Sequence, residues 1–463
     1  MGSLSGQGCI LSVAKSASEM DGWTILFRSG SRSNLRPLVA EHPVNPSPLA
    51  LVEEAFRTLP ERYLGAPAGF DVTYHVRLGD VGHTFEVRCT QHTARVRKGV
   101  SKRPADVVIG TDAPTWLKLR AGEINGVEAF RHRALYARGE LDMAVRFEGL
   151  FRLPDGRDPN LRVHDVEIRT PPARRVSTLT LGAGPDVLLI HGLGAAKSSF
   201  FDLAANLAEA GYRVHALDLP GFGGSSKPAI APYSARWFCD TVLDVMDALD
   251  IEKAHLVGNS MGGRVALEIG LRRPERVNAI AALCPAVAFV KRDFHPLVRF
   301  MRPEVGLLPH RLRRGIVEHQ LWSMFCDPDA LDPQVADVVV DEFQRIYGSA
   351  GARVAFLASA RNIYLDKPFG RGGFYPRLAG LEPPALFVWG SHDRLIPPGF
   401  QRHVAQALPG ADQIVLEGCG HVPQVERPEQ TAGLVRRLFA ETEALGARPL
   451  HRAATPASAS EAA

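Results

Sequence analysis

The chain has 463 residues, 45% of them hydrophobic and 22% charged, and its 54 Lys and Arg against 50 Asp and Glu leave a net charge of +4. That length exceeds what one hydrophobic core normally organises, and the composition is ordinary for a globular protein, so two domains are expected. So small a charge, with no basic stripe interleaved with aromatics, argues against a nucleic-acid partner.

Residues 1–47 mix Gly, Ser and charges without a secretory apolar core, and they are expected to be a flexible segment. Gly2 is followed by Gly6 where a myristoylation signal wants Ser or Thr. Cys9, Cys89, Cys239, Cys284, Cys326 and Cys419 are scattered, with no paired spacing for a disulfide framework or for zinc. A reducing cytoplasm is the expected compartment. No apolar stretch reaches the roughly 18 residues that a membrane span needs.

A helix is expected over Leu51 to Leu59. Phe70, Val72, Tyr74, Val76 and Leu78 then alternate with mostly polar residues before the break at Gly79-Asp80, the pattern of a half-buried strand and a turn. Phe85, Val87 and Cys89 alternate again, as do Ala94 and Val96, so a small antiparallel sheet is the simplest expectation, with Val107 to Ile109 as its fourth strand. Asp112 with Pro114 opens a helix containing Trp116, Leu117 and Leu119, and Gly122 closes it. Ala137-Arg138-Gly139-Glu140-Leu141 leads into a last helix in which Met143, Ala144, Phe147, Leu150 and Phe151 recur at helical spacing until Pro154. This order, sharpest at the Gly139 turn and at Gly149-Leu150-Phe151, resembles the sterol-carrier-protein family over about 48–153. The resemblance implies an α+β lipid-binding domain, drawn at 48–155, with an apolar tunnel that Phe147 and Phe151 would line. The other reading makes these residues ordinary core.

From 160 to 445 the pattern changes. Val187-Leu188-Leu189-Ile190 is a buried strand that breaks into His191-Gly192-Leu193-Gly194 before a helical stretch from Ser199 to Ala210. A second strand, Tyr212 to Leu217, precedes Asp218-Leu219-Pro220-Gly221-Phe222-Gly223-Gly224-Ser225. The apolar run Ala254 to Val257 enters Gly258-Asn259-Ser260-Met261-Gly262, where a serine on a strand-turn-helix corner takes a strained conformation and its neighbours must be glycine. Gly258, Gly262 and Gly263 meet that need. Pro384 to Trp389 is a further buried strand that runs into Gly390-Ser391-His392-Asp393, and Gln413 to Leu416 leads to Glu417-Gly418-Cys419-Gly420-His421. Asp393 and His421 are thus expected at the sheet edge where α/β proteins bind ligands.

The chemistry follows from these residue types. A serine hydroxyl is a poor nucleophile at neutral pH, so His421 must take its proton, and Asp393 must hold the imidazole in the useful tautomer and stabilise it once charged. The order Ser, acid, His and the segments quoted resemble the esterase and lipase-like members of the α/β-hydrolase superfamily. The resemblance implies a mostly parallel sheet with helices on both faces and a cap. It also implies an oxyanion hole formed by the backbone N–H groups of Leu193 and Met261, with His191, Asp218 and Ser225 structural. Dehalogenases and epoxide hydrolases of that superfamily attack with Asp where this chain has Ser260. Asn259 and Gly262-Gly263 also resemble the carbon-carbon hydrolases, but Val422 follows His421 where those usually carry tryptophan.

Residues 286–381 interrupt the pattern where the superfamily carries a cap. Phe289, Val290, Phe294, Leu297, Val298, Phe300 and Met301 stand there beside Lys291, Arg292, Arg299, Arg302, Arg311, Arg313 and Arg314, which suits either a peripheral membrane contact or a solvated cap face. The tail 446–463 is Ala- and Ser-rich and is expected to be disordered. The function expected is a cytoplasmic serine hydrolase cleaving carboxylic esters of hydrophobic, lipid-like substrates, with no cofactor and no metal. A carbon-carbon hydrolase on the same residues and a non-catalytic lipid carrier are the alternatives, and the oligomeric state stays open.

Overall fold

The computed structural model describes residues 47–290, 302–308, 312–330 and 333–446. The N-terminal segment before Ser47, the tail beyond Gly446, and the cap residues Lys291, Arg292, Phe294, Leu297, Val298, Arg299, Phe300, Met301 and Arg311 lie outside the described residues.

Alternation from Asp71 builds the first sheet: β1 (Asp71–Leu78), β2 (His83–Thr90), β3 (Ala94–Lys98), β4 (Val107–Thr111) and β5 (Leu135–Gly139), in the order β3-β2-β1-β4-β5. β1 to β3 are antiparallel neighbours, but β4 lies parallel to β1, with Tyr74 opposite Val107. The sheet is therefore mixed, which corrects the antiparallel expectation. Alternation fixes which face a side chain takes but not strand direction, and here the chain after β3 crosses to the far edge of β1. β5 was not among the expected strands because it is an edge on which only Ala137 is buried.

Helices α1 (Pro48–Arg57), α2 (Ala113–Ala121), α3 (Gly126–Arg131) and α4 (Leu141–Gly149) accompany this sheet. α2 starts where the Asp112 side chain accepts from Thr115 N–H and ends at Gly122 with φ 73°. Phe56 stacks on Phe85 and Trp116 at centroid distances of 3.9 and 4.5 Å, and Phe147 lies 4.7 Å from Tyr74 and 5.3 Å from Phe151. Phe147 and Phe151 are thus buried members of an aromatic core. Such rings add roughly 0.5–1.5 kcal/mol per pair beyond the area they bury.

The second sheet holds β6 (Leu161–Ile168), β7 (Arg174–Leu181), β8 (Asp186–Ile190), β9 (Arg213–Leu217), β10 (Ala254–Asn259), β11 (Val277–Leu283), β12 (Ala385–Gly390) and β13 (Asp412–Leu416), in the order β13-β12-β11-β10-β8-β9-β7-β6. β8 to β13 pair in parallel, while β7 and β6 run antiparallel along one edge. The continuous apolar runs have a simple cause: both faces are covered. Leu188, Ile190 and Leu256 pack under α6 (Ala235–Ala248) and α7 (Met261–Arg272), whereas Val187, Leu189 and Val257 pack under α5 (Phe201–Glu209) and the last helix, Pro428–Ala444. Each such burial contributes roughly 1.5–3 kcal/mol.

Chain order reverses beside β8, since β9 lies on one side of it and β10 on the other, and a crevice opens outside the carboxyl ends at that point. Helices Arg314–Trp322, Pro333–Tyr347 and Ala350–Leu365 stand between β11 and β12 as the cap. The two sheets belong to one compact unit from Pro48 onward. Val127 of α3 lies in the same apolar cluster as Phe201 of α5, and Phe130 faces that ring at 6.2 Å. No helix among the described residues is long and apolar enough to cross a membrane.

Candidate active site

β10 ends at Asn259, and Ser260 follows with φ 53° and ψ −114°, a conformation that a non-glycine residue adopts only where its surroundings impose it. Those surroundings are specific: Ser260 N–H donates to Leu283 O at 2.9 Å, and Ser260 O accepts from Ala286 N–H at 2.9 Å. A methyl group on Gly262 would overlap the Ile190 carbonyl oxygen, and one on Gly258 would overlap the Gly262 backbone. The corner therefore requires the glycines that surround its serine. Among the described residues, the Ser260 hydroxyl makes no hydrogen bond, and in unliganded enzymes the nucleophile-base bond often tightens only when substrate binds.

Asp393 follows the end of β12, and His421 the end of β13. His421 Nδ1 donates to Asp393 Oδ2 at 2.7 Å, and both side chains are buried. Asp393 Oδ1 accepts from the N–H groups of Leu395 and Ile396 at 2.8 and 2.9 Å, so the carboxylate is held from its own loop as well. With its proton on Nδ1, the imidazole keeps Nε2 as the basic nitrogen. The histidine backbone is clamped twice: its N–H donates to Met324 O of the cap at 2.7 Å, and its carbonyl accepts from Asn259 Nδ2 at 3.0 Å.

The loop after β8 runs past the same corner, since a Cβ on Gly192 would lie 3.2 Å from Ser260 Cβ. His191 donates from Nδ1 to Gly192 O at 2.7 Å and accepts at Nε2 from Leu219 N–H at 2.9 Å, and burial lowers its pKa, so it is a neutral strut. Leu193 is half-buried against the core. Gly194, at φ 75°, sits under the cap rings of Phe343 and Phe356. Met261 opens α7, so its N–H is one of the helix's first, without an intrahelical acceptor. The Met261 N–H thus follows Ser260 directly, at a helix end whose partial positive charge favours a developing anion, and Leu193 is the residue after the Gly192 that approaches the same corner.

Three features had no clear signal in the sequence. The Cys284 sulfur lies with an Asp393 oxygen and a His421 nitrogen inside a 4.8 Å cluster. Burial, followed by the Asp393 charge, pushes the thiol pKa well up, so the cysteine stays protonated beside the carboxylate. The cap supplies Phe343, Tyr347 and Phe356, mutually 5.6–6.4 Å apart, as an apolar wall above Gly194. Lys197, just beyond the same loop, is buried between Asp142 and Asp218. Only Asp218 of that set stood in a motif.

Residues 185–428 match the alpha/beta hydrolase fold family, and residues 57–152 match the SCP-2 sterol transfer family. A pimeloyl-(acyl-carrier protein) methyl ester esterase of Aeromonas salmonicida is 28% identical over 56% of this chain and 98% of its own length. A 2-hydroxymuconate semialdehyde hydrolase of Pseudomonas putida is 32% identical over 57% of this chain and 90% of its own. The crystal structure of a membrane phospholipase A, described as a bacterial virulence factor, superposes with a TM-score of 0.53 at 26% identity, covering 72% of this chain and 94% of that one. On this evidence the chain belongs to the alpha/beta hydrolase fold family, with an SCP-2 sterol transfer family segment on its N-terminal side.

Proposed function

We propose that the protein is a serine hydrolase that cleaves carboxylic esters with a hydrophobic acyl or alkyl part. Ser260 Oγ attacks the ester carbonyl while His421 Nε2 takes its proton, and Asp393 stabilises the imidazolium that forms. The N–H groups of Leu193 and Met261 hold the oxyanion, an interaction worth roughly 3 kcal/mol per donor. Collapse expels the alcohol, protonated by His421, and water then releases the acid by the same steps.

The observation that carries this reading is the 2.7 Å bond from His421 to Asp393 at the sheet edge that also presents Ser260 in its strained corner. The aromatic cap wall over Gly194 supports an apolar substrate, and the names of the esterase and phospholipase relatives support an ester. The 32% identical semialdehyde hydrolase favours carbon-carbon cleavage as the second reading.

The SCP-2-like part is proposed to bind lipid and present it, which requires its aromatic core to open. The cap exposes Val305, Leu307, Leu308 and Ile316 in a stretch that also bears Arg302 and Arg313, which supports contact with an anionic lipid surface. Among the described residues the cysteines are free and mostly buried, which supports a cytoplasmic location.

The test is a p-nitrophenyl ester series of rising chain length, with wild type and Ser260→Ala. Turnover that peaks at medium or long chains and vanishes in the variant supports the proposal. Turnover of a vinylogous diketone without any ester turnover supports carbon-carbon cleavage, and lipid binding without turnover of either supports a carrier.

A further inference from the structure

Helix α4 of the N-terminal part has two buried faces of opposite character. Phe147, with Leu150 just past the helix end, faces the aromatic core, while Asp142 and Arg146, each 4% exposed, face the hydrolase sheet. Asp142 Oδ1 receives Lys197 Nζ in a short ion pair and Ser177 Oγ at 2.7 Å, and its Oδ2 receives Arg146 Nε at 2.7 Å. Lys197 Nζ also reaches Asp218 Oδ2 at 2.5 Å, and Lys197 N–H donates to Asp218 Oδ1 at 2.7 Å. Arg146 continues to Asp165, which Arg175 pairs at 2.6 Å. Three carboxylates therefore meet three cations in a cluster whose inner members Asp142, Arg146, Lys197 and Asp218 are buried while Asp165 and Arg175 lie at its partly exposed rim, and the inner fit is tight: a methyl group on Gly224 would overlap the Asp142 carboxylate.

Burial opposes the charge on Lys197, but Asp142 and Asp218 outweigh it and raise its pKa, so the ammonium persists. Burial likewise opposes the charge on Asp142, and Lys197 and Arg146 outweigh it. Removing one partner leaves an uncompensated buried charge, which a structure relieves by moving the group toward water.

Lys197 is the second anchor of the segment that carries Leu193. The first anchor is β8 itself, with the His191–Leu219 bond at its end. We propose that Asp142 is a positioning residue for the hydrolase site: through Lys197, the SCP-2-like part sets the loop that places the Leu193 N–H beside Ser260. This rests on the serine-hydrolase reading above. It assigns the N-terminal part a task that is independent of lipid, because a misplacement of about 1 Å in a reacting group costs on the order of 100-fold in rate whatever the acyl chain.

The experiment compares Asp142→Asn, Lys197→Met and the double variant with wild type. Asp165→Asn is the control, since it lies in the same cluster without touching Lys197. Readouts are Tm, kcat and KM on a short soluble ester, and the rate of inactivation by an ethyl fluorophosphonate. The expected result is a kcat loss of about 10- to 100-fold in both single variants, with KM within about threefold of wild type and phosphonate inactivation slowed in parallel. The double variant should be no worse than either single one. Asp165→Asn should lower Tm while kcat stays at the wild-type value.

Wild-type kcat in Asp142→Asn, losses that multiply in the double variant, or an equal kcat loss in Asp165→Asn would each overturn the proposal. If Asp142→Asn does not fold, Lys197→Met decides: it leaves Asp142 bonded to Arg146 and Ser177, and wild-type kcat in it refutes the coupling. If the phosphonate does not label the wild type, the serine-hydrolase reading falls and this proposal with it. Labelling of wild type and variants at one rate removes the positioning role alone.

Discussion

Glu148 makes the stability of the N-terminal part depend on pH in a direction opposite to that of most carboxylates. It is a buried acid at the end of α4, and its Oε2 accepts from Gly126 N–H at 2.7 Å. Burial pushes its pKa from the ordinary 4.5 up to about 7, against the pull of that N–H and of Arg120. Arg120 does not form a salt bridge that would offset the burial: its Nε and Nη2 have no hydrogen-bond partner, and it lies 6.0 and 5.4 Å from the rings of Trp116 and Phe151.

A folded-state value above the unfolded one means that the folded protein holds the proton more tightly. The contribution is fully present below pH 4.5 and is lost as pH rises through about 7. The gap corresponds to about 3 kcal/mol. Gln mimics the protonated acid and keeps an acceptor for Gly126 N–H. Glu148→Gln should therefore match wild type near pH 4.5 and exceed it by about 3 kcal/mol above pH 7.5. Urea unfolding of both proteins across that range, taken as the difference between them, removes the effects of every other titrating group. A difference that is constant with pH, or a variant less stable than wild type at pH 8, would refute the reasoning.

Three further outcomes are expected. Asp393→Asn should lower kcat on esters by roughly 10³–10⁴-fold with little change in Tm, because it leaves the imidazole without the partner that fixes its tautomer. Gly262→Ala should destabilise the fold by more than about 3 kcal/mol in thermal or urea unfolding, since the added methyl meets the Ile190 carbonyl rather than a yielding side chain. Phe356→Ala should shift the chain-length optimum toward bulkier acyl groups by changing relative kcat/KM about tenfold, and an unchanged profile would remove the cap wall from substrate choice.

Much of the hydrolase part was legible because its strands are buried on both faces. Val187–Ile190 and Pro384–Trp389 could then be seen as unbroken apolar runs whose ends point to the site. β5 was hidden for the opposite reason: it is an exposed edge whose one buried residue is the small Ala137, so its alternation carries almost no apolar signal. The direction of β4 escaped because pattern fixes faces and not topology. Asp142 and Lys197 are 55 residues apart, and charged residues by default lie in water, so nothing local marks them as a buried pair. The neighbourhood of Cys284 with Asp393 and His421 likewise forms only when β11 is set beside β12.

A lipid-presenting role alone predicts that loss of the N-terminal part harms long-chain esters only, whereas the Asp142 link predicts loss on short ones too. The point variants separate these roles where a deletion would merge them.

The central claim is that Ser260 is the nucleophile, and the most direct measurement is peptide mass mapping after reaction with a fluorophosphonate. A single adduct on the peptide containing Ser260, absent in Ser260→Ala, is the predicted result. An unmodified Ser260 peptide in a protein that turns over ester, or an adduct on another residue, would contradict it.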